Sequence, residues 1–233
     1  MLLVLPLLLI VAAACGGDQT PTSSPTATPP TVATPEVVKV RLALDWYPNA
    51  NHAGLYIAQA EGYFADEGLE GDMYTPSDPS TVNQTVAAGA DDFGINYQPD
   101  VLLARAQDVP VVSVIGLVQH PLNSVQVLES SGITRPSDLK GKKIGYPGIP
   151  TNEPLLDTML KADGVAGGLD EVELVNVGFN LAEALISGKV DACIGCYFSH
   201  ASILMETQGF PVKVLRLEEW GVPDYYELVM VAS

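Results

Sequence analysis

The sequence predicts an α/β protein that is built as two similar lobes. Short apolar strands alternate with helical segments along most of the 233 residues. One sequence pattern also occurs twice, as VAAGADDFGI at residues 86–95 and as LISGKVDACI at residues 185–194. Each copy combines a helix end, a glycine stop, an aspartate and a buried strand. Because each copy comes late in its own run of strands and helices, we expect one lobe to follow the other along the chain.

The lobe boundaries follow from this arrangement. We predict that residues 37–116 form lobe one and that residues 117–216 form lobe two. The apolar stretch YELVMVA near the end of the sequence is typical of one more strand. We therefore expect the chain to return to lobe one over residues 217–233.

The elements of lobe one are predicted from apolar periodicity and from glycine and proline stops. The apolar stretch VPVVSVIGLV is typical of a strand in a sheet that is covered on both faces. Strands are predicted at 37–46, 69–74, 93–96 and 109–118, and helices at about 50–68, 80–88 and 99–106.

The elements of lobe two follow from the same signals. Gly188 stops a helix, and Asn152 or Thr151 can cap another. Strands are predicted at 123–128, 141–146, 172–177 and 190–194, and helices at 134–139, 153–163 and 181–186.

The first 36 residues are predicted to lie outside the lobes. The apolar run in residues 1–15 is too short to span a bilayer, and it ends in small residues before Cys15. This pattern is typical of a bacterial lipoprotein signal that is lipidated at Cys15, although the usual positive residues are missing; the alternative is an uncleaved apolar tail. Residues 16–36 are rich in Thr, Ser and Pro, which predicts a disordered tether. An anchor and a tether would place the lobes outside the cytoplasmic membrane.

Charge and motifs exclude several classes of function. The net charge of −17 argues against a nucleic-acid partner and against electrostatic docking on anionic lipid. Three cysteines do not make a disulfide scaffold, and three widely spaced histidines give no metal-ligand pattern. The sequence contains no nucleophile elbow, P-loop or zinc-protease motif. We therefore predict no metal, no cofactor and no catalytic residue.

A first group of candidate ligand-binding residues lies in the stretch 41–68. Alternating apolar residues end at a proline break, so Asp45, Trp46, Asn49 and His52 lie at or just past the carboxyl end of a strand. Small ligands bind at this edge of open α/β sheets. A carboxylate, a large flat ring, an amide and an imidazole suit a flat, polar heterocycle. The alternative is that Trp46 is core and that the polar groups only cap the next helix.

Further candidates lie near the predicted return crossing and at the ends of other strands. Tyr225 or Tyr226 would stack on a flat ring, and Glu227 would accept from an amino group, unless this segment is an ordinary edge strand. Tyr146 precedes a helix start that would hold a ligand oxygen, unless that start is simply capped. The remaining candidates are Tyr97, as a polar group in the crevice, and Cys196 of the motif Cys193-Ile194-Gly195-Cys196. This motif is compatible with a redox pair, with a disulfide or with two small buried cysteines. The last of these alternatives is favoured for Cys193.

The segment LDWYPNANHAGLYIAQAEGYFADEGL resembles the opening signature of the thiamine-pyrimidine synthase-like family. That family comprises binding proteins of ABC importers and eukaryotic thiamine-pyrimidine synthases. The resemblance implies a two-lobed, type II periplasmic-binding-protein fold, an ABC permease partner and a ligand such as formylaminopyrimidine or hydroxymethylpyrimidine. Since members of that family continue well beyond the position where this sequence ends, the resemblance also implies a chain truncated at its C-terminus.

Departures from the synthases favour a binding protein. The lysine that carries pyridoxal phosphate in those enzymes falls at Asn96, and their essential histidine falls at Asp100. Their cysteine-rich element falls at residues 225–229, where this chain has no cysteine. The resemblance leaves two alternatives, a riboflavin-binding protein and a eukaryotic-type synthase. Aliphatic sulfonates fit less well, because they call for more basic groups than the sequence places near the crevice.

Overall fold

The computed structural model describes residues 36–233, which form two five-stranded sheets with helices packed around them. The predicted α/β fold with two lobes is confirmed. The strands are β1 (Val38–Ala43), β2 (Leu69–Tyr74), β3 (Phe93–Asn96), β4 (Val112–Val118), β5 (Asn123–Leu128), β6 (Lys143–Tyr146), β7 (Glu173–Asn176), β8 (Ala192–Tyr197), β9 (Val212–Arg216) and β10 (Leu228–Ala232). The helices are α1 (Ala53–Ala60), α2 (Tyr63–Asp66), α3 (Val82–Ala87), α4 (Gln98–Ala106), α5 (Asn152–Ala162), α6 (Leu181–Ile186) and α7 (Ala201–Thr207).

The first sheet has the strand order β2-β1-β3-β10-β4. β1 pairs in parallel with β2 and β3, and β10 runs antiparallel between β3 and β4. Helix α3 packs closely on this sheet, because a Cβ at Gly94 would collide with the side chain of Val82. Strand β1 ends at Ala43, so Asp45 and the residues that follow it lie at the carboxyl edge of the sheet.

Strand β4 differs from its prediction. Its apolar run indicated a strand covered on both faces, but β4 lies at the edge of the first sheet. The side chains of Val112, Val114 and Ile115 are each about half exposed, at 51%, 50% and 51%. An apolar run alone does not distinguish an edge strand from a central one, since both satisfy the same pattern.

The second sheet has the strand order β7-β6-β8-β5-β9. β6 pairs in parallel with β7 and β8, whereas β5 runs antiparallel to β8 and β9. Helix α5 buries Leu156, Met159 and Leu160 against one face. Leu185 of α6 and Met205 of α7 pack in a second cluster on this sheet. The sheet is therefore covered on both faces.

The chain crosses between the two sheets twice. It leaves the first sheet after Val118 and returns to it at Leu228, so Leu117 and Val118 belong to β4 of the first sheet, whereas the predicted boundary puts them in lobe two. Leu217 and Val222 pack in the core of the second sheet, although we had expected the return to begin at residue 217. Both differences arise because packing, which the sequence pattern does not show, decides where each crossing begins.

Two expectations lie outside the described residues. These are the lipidated Cys15 and the tether at residues 16–36, of which the structure describes only Glu36. Among the described helices, none is both long and apolar enough to cross a membrane.

Candidate functional site

A cavity of about 270 Å³ lies between the two sheets. Residues that follow β1 and β3 line it from the first sheet, and residues near the ends of β6, β7 and β8 line it from the second. This is the carboxyl edge where α/β sheets bind small ligands. Seven of the ten predicted binding residues line the cavity, namely Asp45, Trp46, Asn49, Tyr97, Cys196, Tyr225 and Glu227.

Asp45 is the central acidic group of the first lobe. Its Oδ1 accepts a hydrogen bond from His52 Nε2 at 2.8 Å, and its Oδ2 accepts one from the Tyr97 hydroxyl at 3.2 Å. The Asn49 backbone N–H donates to His52 Nδ1 at 3.3 Å, which leaves the ring proton on Nε2. His52 is only 1% exposed and lies behind Asp45, outside the cavity lining. It therefore orients the carboxylate.

Asn49 lines the cavity but is occupied by its own turn. Its Oδ1 accepts from the Asn51 N–H at 2.9 Å, and its Nδ2 donates to the Tyr47 carbonyl at 3.0 Å. These bonds cap the short 3-10 helix that follows β1. The capping alternative that the sequence left open is thus seen at Asn49.

Glu227 is the second carboxylate of the cavity and is only 2% exposed. Its Oε2 accepts from the backbone N–H groups of Leu122 and Asn123 at 2.7 and 2.8 Å. The Tyr225 hydroxyl donates to the same oxygen at 3.2 Å, and the Tyr197 hydroxyl donates to Oε1 at 2.9 Å. Burial raises the pKa of Glu227 to about 7, although these hydrogen bonds act to lower it.

The three tyrosine hydroxyl groups of the cavity are left to accept hydrogen bonds from a ligand, because each already donates its proton to a carboxylate. Tyr97 gives its proton to Asp45, while Tyr197 and Tyr225 give theirs to Glu227. Burial and the neighbouring carboxylates raise the pKa of all three phenols, so they stay protonated. Among the described residues, no lysine or arginine lines this cavity. Its polar surface therefore suits a ligand that donates hydrogen bonds and carries no negative charge.

An aromatic wall joins the two lobes on one side of the cavity. The rings of Trp46 and Phe179 meet edge to face, with centroids 4.5 Å apart, and Tyr47 lies 4.8 Å from Phe179. Sequence reasoning missed Phe179. The available signal was its place just after the end of β7, which matches the place of Trp46 just after β1.

A hydrogen bond joins the lobes at a second place. The Thr151 hydroxyl, next to α5, donates to Asp100 Oδ2 on α4 at 2.6 Å. Burial raises the pKa of Asp100 to about 6, and the bonds from Thr151 act in the opposite direction. Asn96 is buried nearby, and its Oδ1 accepts from the Tyr97 N–H at 2.8 Å. Both side chains therefore have structural partners.

Two further predicted residues lie outside the cavity lining, like His52. Tyr146 is partly buried and packs against the core of the second sheet. Tyr226 is 43% exposed, and its ring lies 3.0 Å from the point where a Cβ at Gly116 would be. Its side chain covers the glycine of β4 because successive residues of an extended segment point to opposite sides. Tyr225 therefore points into the cavity and Tyr226 away from it.

The cysteine pair forms a disulfide. A bond joins Cys193 and Cys196, so the favoured expectation of two free, buried cysteines is wrong and one of the alternatives holds. Cys193 packs in the core of the second sheet, whereas Cys196 also lines the cavity. The short spacing indicated that the two residues were able to pair, but it did not indicate that they would.

His200 is another cavity residue that the sequence did not single out. It precedes α7, and its ring lies edge to face with Tyr197 at a centroid distance of 5.7 Å. Burial lowers its pKa, so it is neutral at pH 7. Within residues 36–233, no cluster of three or more His, Cys, Asp or Glu side chains is placed to hold a metal ion.

Two α/β lobes thus face each other across an aromatic, acidic cavity. The alkanesulfonate-binding protein SsuA from Xanthomonas axonopodis pv. citri, solved with MOPS bound, shares this fold with a TM-score of 0.65. It is 18% identical over 86% of this chain and 67% of its own, so it shows the fold alone. The chain belongs to the NMT1/THI5-like family, whose family model matches residues 49–233.

Two curated relatives differ in function, since one is named as a binding protein and the other as a synthase. The formylaminopyrimidine-binding protein of Halalkalibacterium halodurans is 44% identical over 194 residues, which are 83% of this chain and 58% of that protein. The 4-amino-5-hydroxymethyl-2-methylpyrimidine phosphate synthase of Aspergillus parasiticus is 37% identical over 158 residues, 67% of this chain and 45% of the enzyme. The chain thus spans about half to three fifths of the length of these relatives.

Proposed function

We propose that this protein is the substrate-binding component of an ABC importer and that it captures a thiamine pyrimidine precursor, formylaminopyrimidine or hydroxymethylpyrimidine. The observation that carries the proposal is the pairing of Asp45, which has free acceptor capacity, with Trp46 in a cavity between two lobes. The formylaminopyrimidine-binding protein of Halalkalibacterium halodurans, which is 44% identical, supports the same ligand class.

The acceptor capacity of the two carboxylates decides which one receives the ligand's amino group. A carboxylate has about four acceptor positions. From residues 36–233, Glu227 accepts four hydrogen bonds, whereas Asp45 accepts two. Asp45 therefore takes the amino group of the aminopyrimidine, and Trp46 contacts its ring. Glu227, to which we had first given that role, orients the tyrosines.

Charge separates this ligand from the sulfonates of the structural neighbour. An anion would face two carboxylates, and no lysine or arginine of residues 36–233 lines the cavity to balance its charge. A neutral aminopyrimidine instead offers N–H donors to an acceptor-rich surface. Riboflavin is also neutral, but it has no exocyclic amino group for Asp45.

The proposed role is binding without catalysis. Asn96, in the place of the synthase lysine, cannot form a Schiff base, and its amide is bound to the Tyr97 N–H. Asp100, in the place of the synthase histidine, accepts from Thr151. We expect no Schiff-base absorbance on addition of pyridoxal phosphate and no pyrimidine product. Either signal, if lost on mutation of a nearby lysine, would show that the chain is a synthase.

Isothermal titration calorimetry tests the ligand. We expect saturable binding of formylaminopyrimidine or hydroxymethylpyrimidine, and no binding of taurine. Asp45→Asn should weaken pyrimidine binding by roughly 1.5–3 kcal/mol, the scale of a hydrogen bond to a charged group. Asp92→Asn, at an exposed position, controls for the loss of one charge. Binding of riboflavin alone, or equal binding by Asp45→Asn, would overturn the pyrimidine assignment.

We further propose that the protein lies outside the cytoplasmic membrane and is anchored to it through lipidated Cys15. The support is the apolar run that ends in Ala12-Ala13-Ala14-Cys15. Cys15→Ser, expressed with a complete signal, should lose membrane retention and keep ligand binding. Equal membrane association of the variant and its parent would overturn the anchor.

A further inference from the structure

The disulfide spans an irregular point in β8, the central strand of the second sheet. Across the β5–β8 pairing, Ser124 faces Cys196 while Val125 faces Ile194, so Gly195 is an extra residue without a partner on β5. Gly195 has a φ of +92°, which only glycine adopts readily. This arrangement is a β-bulge, and Cys193 and Cys196 lie on either side of it.

The bulge directs backbone and side chains toward the cavity. Gly195, Cys196 and Tyr197 all line the cavity. The Gly195 N–H donates to Asn123 Oδ1 at 2.9 Å, and the Cys196 carbonyl accepts from Ser124 Oγ at 2.6 Å. A side chain at Gly195 would press on Pro147, at 2.9 Å from its Cδ. The cavity surface here therefore depends on the shape of the bulge.

The bulge is also linked to the acidic centre of the site. Tyr197 is the residue after Cys196, and its hydroxyl donates to Glu227 at 2.9 Å. Asn123, which holds the bulge through its side chain, donates its backbone N–H to the same carboxylate at 2.8 Å. A shift of the bulge would therefore move groups that face the ligand.

We propose that the Cys193–Cys196 disulfide is a positioning element of the ligand site, and that its reduction by a dithiol weakens ligand binding. The disulfide holds Gly195 to Tyr197 in the geometry that faces the cavity. The identity of the ligand in this inference rests on the proposed function. The effect of reduction on the shape of the bulge does not depend on the proposed function.

The chemistry is thiol–disulfide exchange. A thiolate of the dithiol attacks one sulfur, which forms a mixed disulfide and releases the other cysteine as a thiolate that takes up a proton. The second thiol of the reagent then displaces the remaining cysteine. The dithiol leaves as a cyclic disulfide, and its two electrons and two protons end on Cys193 and Cys196.

The cavity is the route by which a reductant reaches the disulfide. Cys193 is 0% exposed and Cys196 is 1% exposed, but Cys196 borders the cavity. A bound ligand should therefore shield it and slow its reduction. Because coupling is reciprocal, a ligand that prefers the oxidised protein also stabilises the disulfide by the same factor.

The first test compares oxidised protein with the same protein reduced by dithiothreitol, with formylaminopyrimidine as the probe. We expect affinity to fall about tenfold on reduction, within the usual range of coupling between sites. The double variant Cys193→Ala/Cys196→Ala should bind like the reduced protein and be insensitive to dithiothreitol. Circular dichroism monitors folding. Equal affinity in both states, or unfolding on reduction, would overturn the proposal.

The second test does not need the ligand's identity. Hydrogen exchange should accelerate on reduction in a peptide that covers residues 190–198, and stay unchanged over β1 and β2. If the oxidised protein binds neither formylaminopyrimidine nor hydroxymethylpyrimidine but the exchange responds in this way, the proposed function fails and the positioning role stands. Unchanged exchange at 190–198 would overturn the positioning role.

Discussion

The backbone N–H of Asn123 donates a hydrogen bond to the carboxylate of Glu227 at 2.8 Å, across 104 residues of sequence. Asn123 begins β5 just after the chain first crosses between the sheets, and Glu227 precedes β10 at the end of the return crossing. One buried carboxylate thus ties the two crossings together. The Tyr225 and Tyr197 hydroxyls, bound to the same group, couple this junction to the cavity.

The burial of Glu227 makes stability depend on pH. Its pKa rises from 4.5 to about 7 on folding, so between these values the folded state binds more protons than the unfolded state. Its contribution to stability is therefore lost as pH rises from about 4.5 to 7. For a shift of this size the loss is about 3 kcal/mol. Wild type should lose about 2.5 kcal/mol of this between pH 5 and pH 8 relative to Glu227→Gln, measured by urea unfolding.

The comparison isolates Glu227 because Asp100, whose pKa burial also raises, is present in both proteins. Glu61→Gln, at the exposed end of α1, controls for the loss of one negative charge. Parallel pH profiles for wild type and Glu227→Gln would contradict the prediction.

Trp46 should report ligand binding directly. The chain has two tryptophans, and Trp220 packs in the second sheet outside the cavity lining. In Trp220→Phe, formylaminopyrimidine should therefore quench the fluorescence of Trp46 with unchanged affinity. Trp46→Ala should weaken binding by roughly 1–3 kcal/mol, the scale for stacking a base on an aromatic ring. Unchanged affinity in Trp46→Ala would show that this ring is structural.

The hydrogen bond between Asp100 and Thr151 should couple the two lobes energetically. Both side chains are buried, at 7% and 5% exposure, and their atoms lie 2.6 Å apart. In a double-mutant cycle of Asp100→Asn and Thr151→Val, we expect a coupling of about 1.5–3 kcal/mol in the free energy of unfolding. Strict additivity of the two changes would mean that the bond between the lobes is not maintained in solution.

Two glycines give opposite predictions for stability. A methyl group at Gly94 would collide with Val82 and press on Val86 at 3.1 Å, so Gly94→Ala should destabilise the protein by roughly 1–3 kcal/mol. At Gly54 in α1, an added Cβ meets no atom of the described part of the chain within 4 Å. Gly54→Ala should stabilise the protein by about 0.5–1 kcal/mol through helix propensity. Urea unfolding of both variants checks the contrast, and equal effects would contradict this packing.

The sequence allowed the fold and part of the site to be predicted. The turn that holds Asp45, Trp46 and Asn49 is local, so a strand followed by a proline break was enough to place these residues at a sheet edge. Phe179 and His200 were missed because their nearness to that turn depends on how the lobes close. The sequence did not show that Glu227 already accepts from the backbone N–H groups of Leu122 and Asn123, because these donors lie more than 100 residues away.

The position of β10 has a consequence for how the chain folds. β10 lies between β3 and β4 and joins them into one sheet, although it is synthesised after all of lobe two. The strands of the second sheet all lie between residues 123 and 216, so that sheet is complete earlier on the ribosome. Since non-local strand pairing is slow, we expect lobe two to fold first. Until residue 228 emerges, β3 and β4 keep open edges, and a folding chaperone would bind the first lobe rather than the second.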